Sequence, residues 1–345
     1  MDVRIRPNII GMDLAELTTR LEGMGEPRYR AKQVFDWIYD KAVYDFSAMV
    51  NLPAALRDKL RSEMRVSLPQ VVQTQNAADG TSKYLLQLDD GQHVECVIIP
   101  DMPRMTACLS SQVGCAVGCA FCATGQSGFA RNLQPGEIIG QLLVSQQIRG
   151  ERLTNVVMMG MGEPLANYDN VMAALRLMND RAAIAMGARR FTISTVGLVP
   201  GIKRLTGEKL QVNLAVSLHA PNDHLRNQLV PINRKYPIAM LMETCKEYIA
   251  AVGRRVTFEY VLLRNVNDQA AHAHQLAQLV RGMLCHINLI PVNPVSEKGF
   301  SRPSEQGTAE FARIVRGYGV EVTVRKEKGT GIDAACGQLR ARRMR

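Results

Sequence analysis

Three cysteines, Cys115, Cys119 and Cys122, stand in a C-x3-C-x2-C spacing on one short stretch of the chain. Thiolates are soft ligands that suit cluster-forming iron. Three of them can hold three irons of a 4Fe–4S cube and leave the fourth iron open to a ligand that is not cysteine. Zinc is the alternative, but a structural zinc site takes four closed ligands. No His or further Cys stands within a few residues to supply the fourth. Phe121, just before the last cysteine, offers the apolar wall a cluster needs. Five of the eight cysteines lie between Cys96 and Cys122. In a reducing compartment such crowding points to metal or redox chemistry rather than to structural disulfides.

A second constellation is Met159-Gly160-Met161-Gly162-Glu163-Pro164. Glycines there expose backbone groups, and the carboxylate of Glu163 suits an ammonium; the alternative is a plain strand-to-helix turn. Ser194, Ser217-Leu218-His219 and Asn293 close or follow predicted strands. At the mouth of a parallel barrel such groups can bind ribose, carboxylate or adenine. His219 serves equally well as a structural histidine. Cys108 and Cys336, read alone, are inert thiols, and Cys245 and Cys285 sit in apolar settings.

Elements must bring these residues together. Asp13 with Glu16 three residues on, then leucines at helical spacing, predicts a capped helix over 13–22. Further helices are expected over 29–43 and from Pro53, where Leu56, Leu60 and Met64 share a face. The window 29–46 holds six of the eighteen aromatics. That is either a small helical core or, with Arg28, Arg30 and Lys32, an RNA-contacting surface. Asp79-Gly80 and Asp90-Gly91 are hairpin turns that divide 71–75, 81–88 and 93–99 into a three-stranded meander. Beyond Pro103 strands alternate with helices. Strands are expected over 105–110, 155–159, 191–194, 212–217, 257–262 and 286–290, and helices over 135–149, 168–179, 200–205, 237–252, 268–283 and 305–318. Six such units predict an α/β fold, a partial (β/α) barrel of about six parallel strands. The chain divides into a helical domain at 1–66, a β-hairpin connector at 67–100 and the barrel with its C-terminal segment at 101–345.

The 345 residues are 46% apolar and 21% charged, which excludes a disordered or collagenous chain. No run approaches the roughly 18 apolar residues of a membrane span. The first residues carry charges and no cleavage site of a secretory signal, so a soluble, cytoplasmic protein is expected. The net charge is +10. Residues 1–64 balance at ten basic and ten acidic, 65–100 carry two and four, and 101–345 therefore hold +12. A basic body and the arginines Arg340, Arg342, Arg343 and Arg345 suit an anionic partner.

A cysteine trio after the first strand of a parallel barrel, with one iron open, resembles the radical S-adenosylmethionine (SAM) superfamily. Four further stretches extend the likeness. They are Val94-Glu95-Cys96 with Cys108-Leu109-Ser110-Ser111-Gln112-Val113-Gly114-Cys115; Met158-Met159-Gly160-Met161-Gly162-Glu163-Pro164-Leu165; Ser217-Leu218-His219-Ala220-Pro221-Asn222; and Asp333-Ala334-Ala335-Cys336-Gly337-Gln338-Leu339. Together they resemble the RlmN family over nearly the whole chain.

The resemblance implies a methyltransferase acting on carbon 2 of an adenine in 23S rRNA and in tRNA, there 3′ of the anticodon. It implies one 4Fe–4S cluster on Cys115, Cys119 and Cys122, with SAM chelated at the open iron. Gly162, Glu163, Ser194, Ser217, Leu218, His219 and Asn293 are then the cofactor-binding residues. By the same resemblance, one SAM methylates Cys336 and a second yields the 5′-deoxyadenosyl radical. The radical takes a hydrogen from the S-methyl group, and the resulting carbon radical joins Cys336 to the adenine. Glu95 accepts the carbon-2 proton. Cys108 then attacks the sulfur of Cys336, releasing product as a disulfide forms. The 326–336 loop must be mobile for this. A flavodoxin-type electron donor and a monomeric enzyme are also implied.

The runner-up within the superfamily is the Cfr-type enzyme, which methylates carbon 8 of the same rRNA adenine; Pro164 resembles the carbon-2 branch. From another class comes a non-catalytic metal-binding RNA-binding protein, which would need none of Glu95, Cys108, Glu163 or Cys336.

Overall fold

The computed structural model describes residues 6–293 and 299–340. At its N-terminal end three helices, α1 (Leu14–Gly23), α2 (Tyr29–Tyr39) and α3 (Ala54–Glu63), pack on one another. Asp13 and Glu16 cap α1 reciprocally, with bonds of 2.8 and 3.0 Å. Helix α2 stops four residues short of the predicted end. The left-handed Ala42 (φ 52°) and the turn before it cannot continue a helix. Half of the aromatic window is core: Phe35, Tyr39 and Phe46 are buried, Trp37 and Tyr44 pack partly buried against them, and Tyr29 is 57% exposed under the Arg30 guanidinium. Arg65 pairs back with Asn8 and Ile9, closing this unit on itself.

The meander is β1 (Gln70–Asn76), β2 (Ser82–Gln87) and β3 (His93–Asp101). It is one edge of a single ten-stranded sheet. Strand β3 runs antiparallel to β4 (Arg104–Cys108), and from β4 onward every pairing is parallel. The parallel strands follow in chain order: β7 (Asn155–Met158), β8 (Phe191–Thr195), β9 (Asn213–Ser217), β10 (Val256–Leu262), β11 (Cys285–Pro291) and β12 (Val322–Val324). A seventh parallel strand thus joins the six predicted; β12 has three residues, too few to show a period in sequence. The barrel is open, since β1 and β12 are the two ends of the sheet order.

A two-stranded ribbon, β5 (Gln112–Gly114) and β6 (Phe129–Asn132), stands between β4 and the first barrel helix. Helices α5 (Pro135–Arg149), α6 (Tyr168–Asn179), α7 (Val199–Thr206), α9 (Ile238–Val252), α10 (Ala270–Val280) and α11 (Glu305–Arg316) are the crossovers. The short α4 (Ala123–Gln126) and α8 (Asp223–Leu229) lie near the strands' C-terminal ends. The crossover helices cover the outer face. On α5, Ser145 meets Cys96 of β3 at 3.5 Å, and Gln141 clamps both backbone groups of Ser110 at 2.8 and 2.9 Å. That clamp fixes the chain where it leaves β4 for the site. No described helix is long and apolar enough to cross a membrane.

Candidate active site

The ribbon β5–β6 carries the cysteine loop, closed by a 2.7 Å bond from the Cys115 N–H to the Gly128 carbonyl. Six residues separate Cys115 from the end of β4, so the loop sits above the strand rather than directly on it. Ala120 N–H donates to Leu229 of α8 at 2.9 Å. From the other side the C-terminal segment grips the loop. Ala123 N–H donates to the Gly337 carbonyl at 2.7 Å, and Thr124 Oγ1 to the Leu339 carbonyl at 2.7 Å. Cys115, Cys119 and Cys122 all face one cavity at the C-terminal ends of the parallel strands. Its empty space, counted out through the mouth into solvent, is about 1030 Å³. Burial pushes the Cys115 thiol up to about 11 and Cys119 well above its usual range.

Gly162, Glu163, Ser194, Ser217, His219 and Asn293 line the same cavity. Leu218 does not: its side chain is in the core, and its carbonyl accepts from Arg226 at 3.0 Å. Gly162 has φ 101°, and a Cβ there would lie 2.6 Å from that of Gln112. The glycines therefore let this loop press against the start of the ribbon, where Ser111 and Gln112 N–H groups donate to the Met161 carbonyl. Glu163 is buried, with Oε1 accepting the Leu165 N–H at 3.0 Å and Oε2 the Val196 N–H at 2.8 Å. Burial outweighs those donors and pushes its carboxyl up to about 7.

His219 adopts φ 59° and packs edge-on against Phe121 at 4.7 Å. Its Nδ1 accepts the Val261 N–H at 3.0 Å, which leaves the proton on Nε2. Burial, with Arg226 nearby, lowers it to about 3, so the ring is neutral.

Cys108, at the end of β4, and Cys336, on the C-terminal segment, line one adjoining cavity, and Cys336 faces the cysteine-loop cavity as well. Arg325 lines that cavity too, its Nη1 donating to Cys336 Sγ at 3.3 Å. Burial, then the neighbouring Cys336, pushes the Cys108 thiol up, and Arg325 opposes both. Glu95 on β3 lies on the Cys108 face of the sheet, since Val97, two residues on, is the partner of Cys108. Its Oε2 accepts the Arg340 N–H at 2.7 Å.

Two family models match the chain: the radical SAM superfamily over residues 109–277, and the ribosomal RNA large subunit methyltransferase N-terminal domain over 7–66. A probable dual-specificity RNA methyltransferase RlmN of Dictyoglomus thermophilum is 46% identical over 337 residues, 97% of each chain. The dual-specificity RNA methyltransferase RlmN of Marinobacter nauticus is 46% identical over 96% of this chain and 92% of its own. The chain belongs to the RlmN family. A crystal structure of a radical SAM methyltransferase from Sphaerobacter thermophilus superposes on this RlmN-family fold with a TM-score of 0.94. It is 49% identical and covers 97% of this chain and all of that one. The protein is accordingly an enzyme, a radical SAM RNA methyltransferase, and its class implies a 4Fe–4S cluster and SAM.

The site fits that pair. Three soft donors converge on one cavity, and beside them lie an apolar ring, a neutral imidazole and a carboxylate. Among the described residues no three His, Cys, Asp or Glu side chains converge as ligands of a single ion; thiolates serving three separate irons stand wider apart. All eight cysteines are free thiols in this structure, so it holds no Cys108–Cys336 disulfide, the bond expected only as product is released. The two residues share a cavity but stand on separate elements, and Arg325 bonds Cys336 there. Arg342, Arg343 and Arg345 lie outside the described residues.

Sequence reasoning missed Arg325, Lys83, Arg226 and Glu259, a buried carboxyl of β10 that lines the cysteine-loop cavity. Arg226 is fully buried and bonds the carbonyls of Val196, Ser217 and Leu218 and the side chain of Asn233, tying the ends of β8 and β9 together. Each is an ordinary single residue in sequence, and only strand register and loop return bring it to the site.

Proposed function

We propose that this enzyme methylates carbon 2 of an adenine in 23S rRNA, and of the adenine 3′ of the anticodon in tRNA, using Cys336 as methyl carrier, Cys108 as resolving thiol and Glu95 as proton acceptor. The observation that supports it most directly is the shared cavity of Cys108 and Cys336 around Arg325, beside the cysteine loop. Adenine carbon 2 lies between two ring nitrogens and is electron-poor, so it cannot attack a sulfonium methyl. The cluster and SAM, when bound, supply the one-electron chemistry that reaches it. In this reading Cys115, Cys119 and Cys122 hold the cluster, and two SAM are consumed per methylation.

Gly162, Glu163, Ser194, Ser217, Leu218, His219 and Asn293 form the cofactor site. A carboxylate has about four acceptor positions, so the Leu165 and Val196 N–H groups and the Thr195 hydroxyl leave room on Glu163 for an ammonium. Leu218 takes part through its main chain only. Arg325 opposes the rise of the Cys108 thiol and so favours the thiolate that its attack requires. The Cys108–Cys336 bond forms as the Cys336–carbon bond breaks. The bonding pair of the latter leaves with the methylene, which a proton converts to methyl.

The target base is extruded from its stack, at least cost in looped RNA. The helical unit at 1–66 and the basic body contact the phosphates, and 67–100 joins them. The proposal includes a flavodoxin-type donor and a monomer acting in the cytoplasm.

Expression in a host lacking its own enzyme, followed by nucleoside analysis of digested rRNA and tRNA, tests this. We expect 2-methyladenosine in both pools and none with Cys336→Ala. An 8-methyladenosine product would assign the Cfr-type activity instead. Methylated RNA from Cys336→Ala would remove the carrier mechanism.

A further inference from the structure

Both oxygens of Glu95 are occupied, and both partners lead to the segment that carries Cys336. Oε2 accepts the Arg340 N–H at 2.7 Å, and Oε1 lies 3.4 Å from the ammonium of Lys83. The same ammonium donates to the Asp333 carbonyl at 3.2 Å. Lys83 is 7% exposed and Glu95 4%, and a lysine buried that deeply needs its charge matched. Their placement follows from register. Lys83 on β2, Val97 on β3 and Cys108 on β4 form one cross-strand row, and Glu95 is the next residue on the Val97 face. A third tie lies at the β1–β2 turn, where Asp79 Oδ2 accepts the Gly329 N–H at 2.9 Å. The Cys336 segment is thus fastened to the meander at Gly329, Asp333 and Arg340.

Resting on the assignment of Glu95 as proton acceptor, we propose that Lys83 is a positioning residue: its ammonium holds the Glu95 carboxylate for proton removal and links it to the docked state of the Cys336 segment. While the segment is docked, the Arg340 N–H fills the oxygen opposite Lys83. When Arg340 withdraws, that oxygen becomes free to face carbon 2, and Lys83 still fixes the other. The proton then passes from carbon 2 to Glu95 while the C–H bonding pair stays with the ring; a cluster held by Cys115, Cys119 and Cys122 would take up the electron left unpaired by the radical addition. The meander is thereby a dock for the catalytic loop as well as a connector.

The test follows the covalent protein–RNA adduct on denaturing gels with and without nuclease, using the full chain with cluster and SAM and a tRNA substrate. Cys108→Ala supplies the reference band, and Glu95→Gln checks the underlying assignment. Lys83→Met is expected to be isolated with Cys336 methylated as in wild type, yet to turn over roughly tenfold more slowly and accumulate adduct. That is less than the roughly 10²-fold or more expected for losing the base itself. Lys83→Arg is expected to restore most of the rate. If Lys83→Met does not fold, Lys83→Gln is read in its place, since its amide keeps a donor without the charge. Wild-type turnover without adduct in these variants, while Glu95→Gln traps it, overturns the role of Lys83. Equal loss of Cys336 methylation and turnover marks a structural role and overturns it too. Turnover without adduct in Glu95→Gln instead removes the Glu95 assignment.

Discussion

Glu163 carries two backbone donors on its carboxylate while lying fully inside the protein, so hydrogen bonding and burial pull its titration in opposite directions. Burial prevails and raises it from 4.5 to about 7. Between those values the folded chain binds more protons than the unfolded one, so this group's stabilisation is complete below about 4.5 and is lost as pH rises through about 7. The loss is on the order of 3 kcal/mol. Glu163→Gln, which cannot ionise, should flatten that part of the curve: urea midpoints from pH 5 to 8 should fall for wild type and stay nearly level for the variant. Equal slopes would show that the carboxylate is not held against ionisation. At this scale the sequence revealed what is written contiguously. The cysteine trio and the Gly162-Glu163 pair each sit on one loop and reach one cavity. Leu218 reads in sequence with its neighbours, but a chain leaving a strand turns successive side chains to opposite sides. It therefore enters the core beside Ser217 and His219. Arg325 and Lys83 act across long sequence separations, and no local pattern announces them.

Among the elements, the contact between the loops after β4 and β7 decides whether the cysteine loop is held in place. Gly160 N–H donates to the Leu109 carbonyl at 3.0 Å, and a Cβ on Gly160 would lie 2.7 Å from that carbonyl and 2.8 Å from Ser110 N. Backbone cannot yield as a flexible side chain does. Gly160→Ala should therefore force the loops apart, cost about 1–3 kcal/mol and lower the iron bound per chain after reconstitution. Gly187→Ala is the control, because a Cβ there meets nothing within 4 Å; it should leave both the urea midpoint and the iron content unchanged. A Gly160→Ala protein that matches the control would show that the loops have slack. The long elements were legible because period and caps agree: α5 and α6 begin and end where predicted. The ribbon β5–β6, α4 and β12 have three or four residues each, below the length at which a period is visible. Their existence depends on the contacts they make.

For the whole molecule the sequence showed where charge is concentrated but not how the chain returns on itself. The meander reads as a connector because its strands are local. Yet β3 pairs with β4 and so extends the barrel sheet, and the last described residues come back to it from β12. The charge surplus of +12 over 101–345 makes RNA binding a process of counterion release. Affinity should fall linearly on a log–log plot against salt, with a slope near −0.7 per phosphate contact for single-stranded RNA. The final five residues, Ala341 to Arg345, contribute three arginines to that surplus. If Arg342, Arg343 and Arg345 touch phosphates, a chain ending at Arg340 should bind a looped RNA with a slope shallower by about 2, while Cys336 is still methylated. The Arg340 N–H that meets Glu95 is kept in that chain, so the change reads the tail and not the latch. Titrations of both chains at several salt concentrations give the two slopes. Identical slopes would place the phosphate contacts on the body of the enzyme and remove the tail from RNA binding.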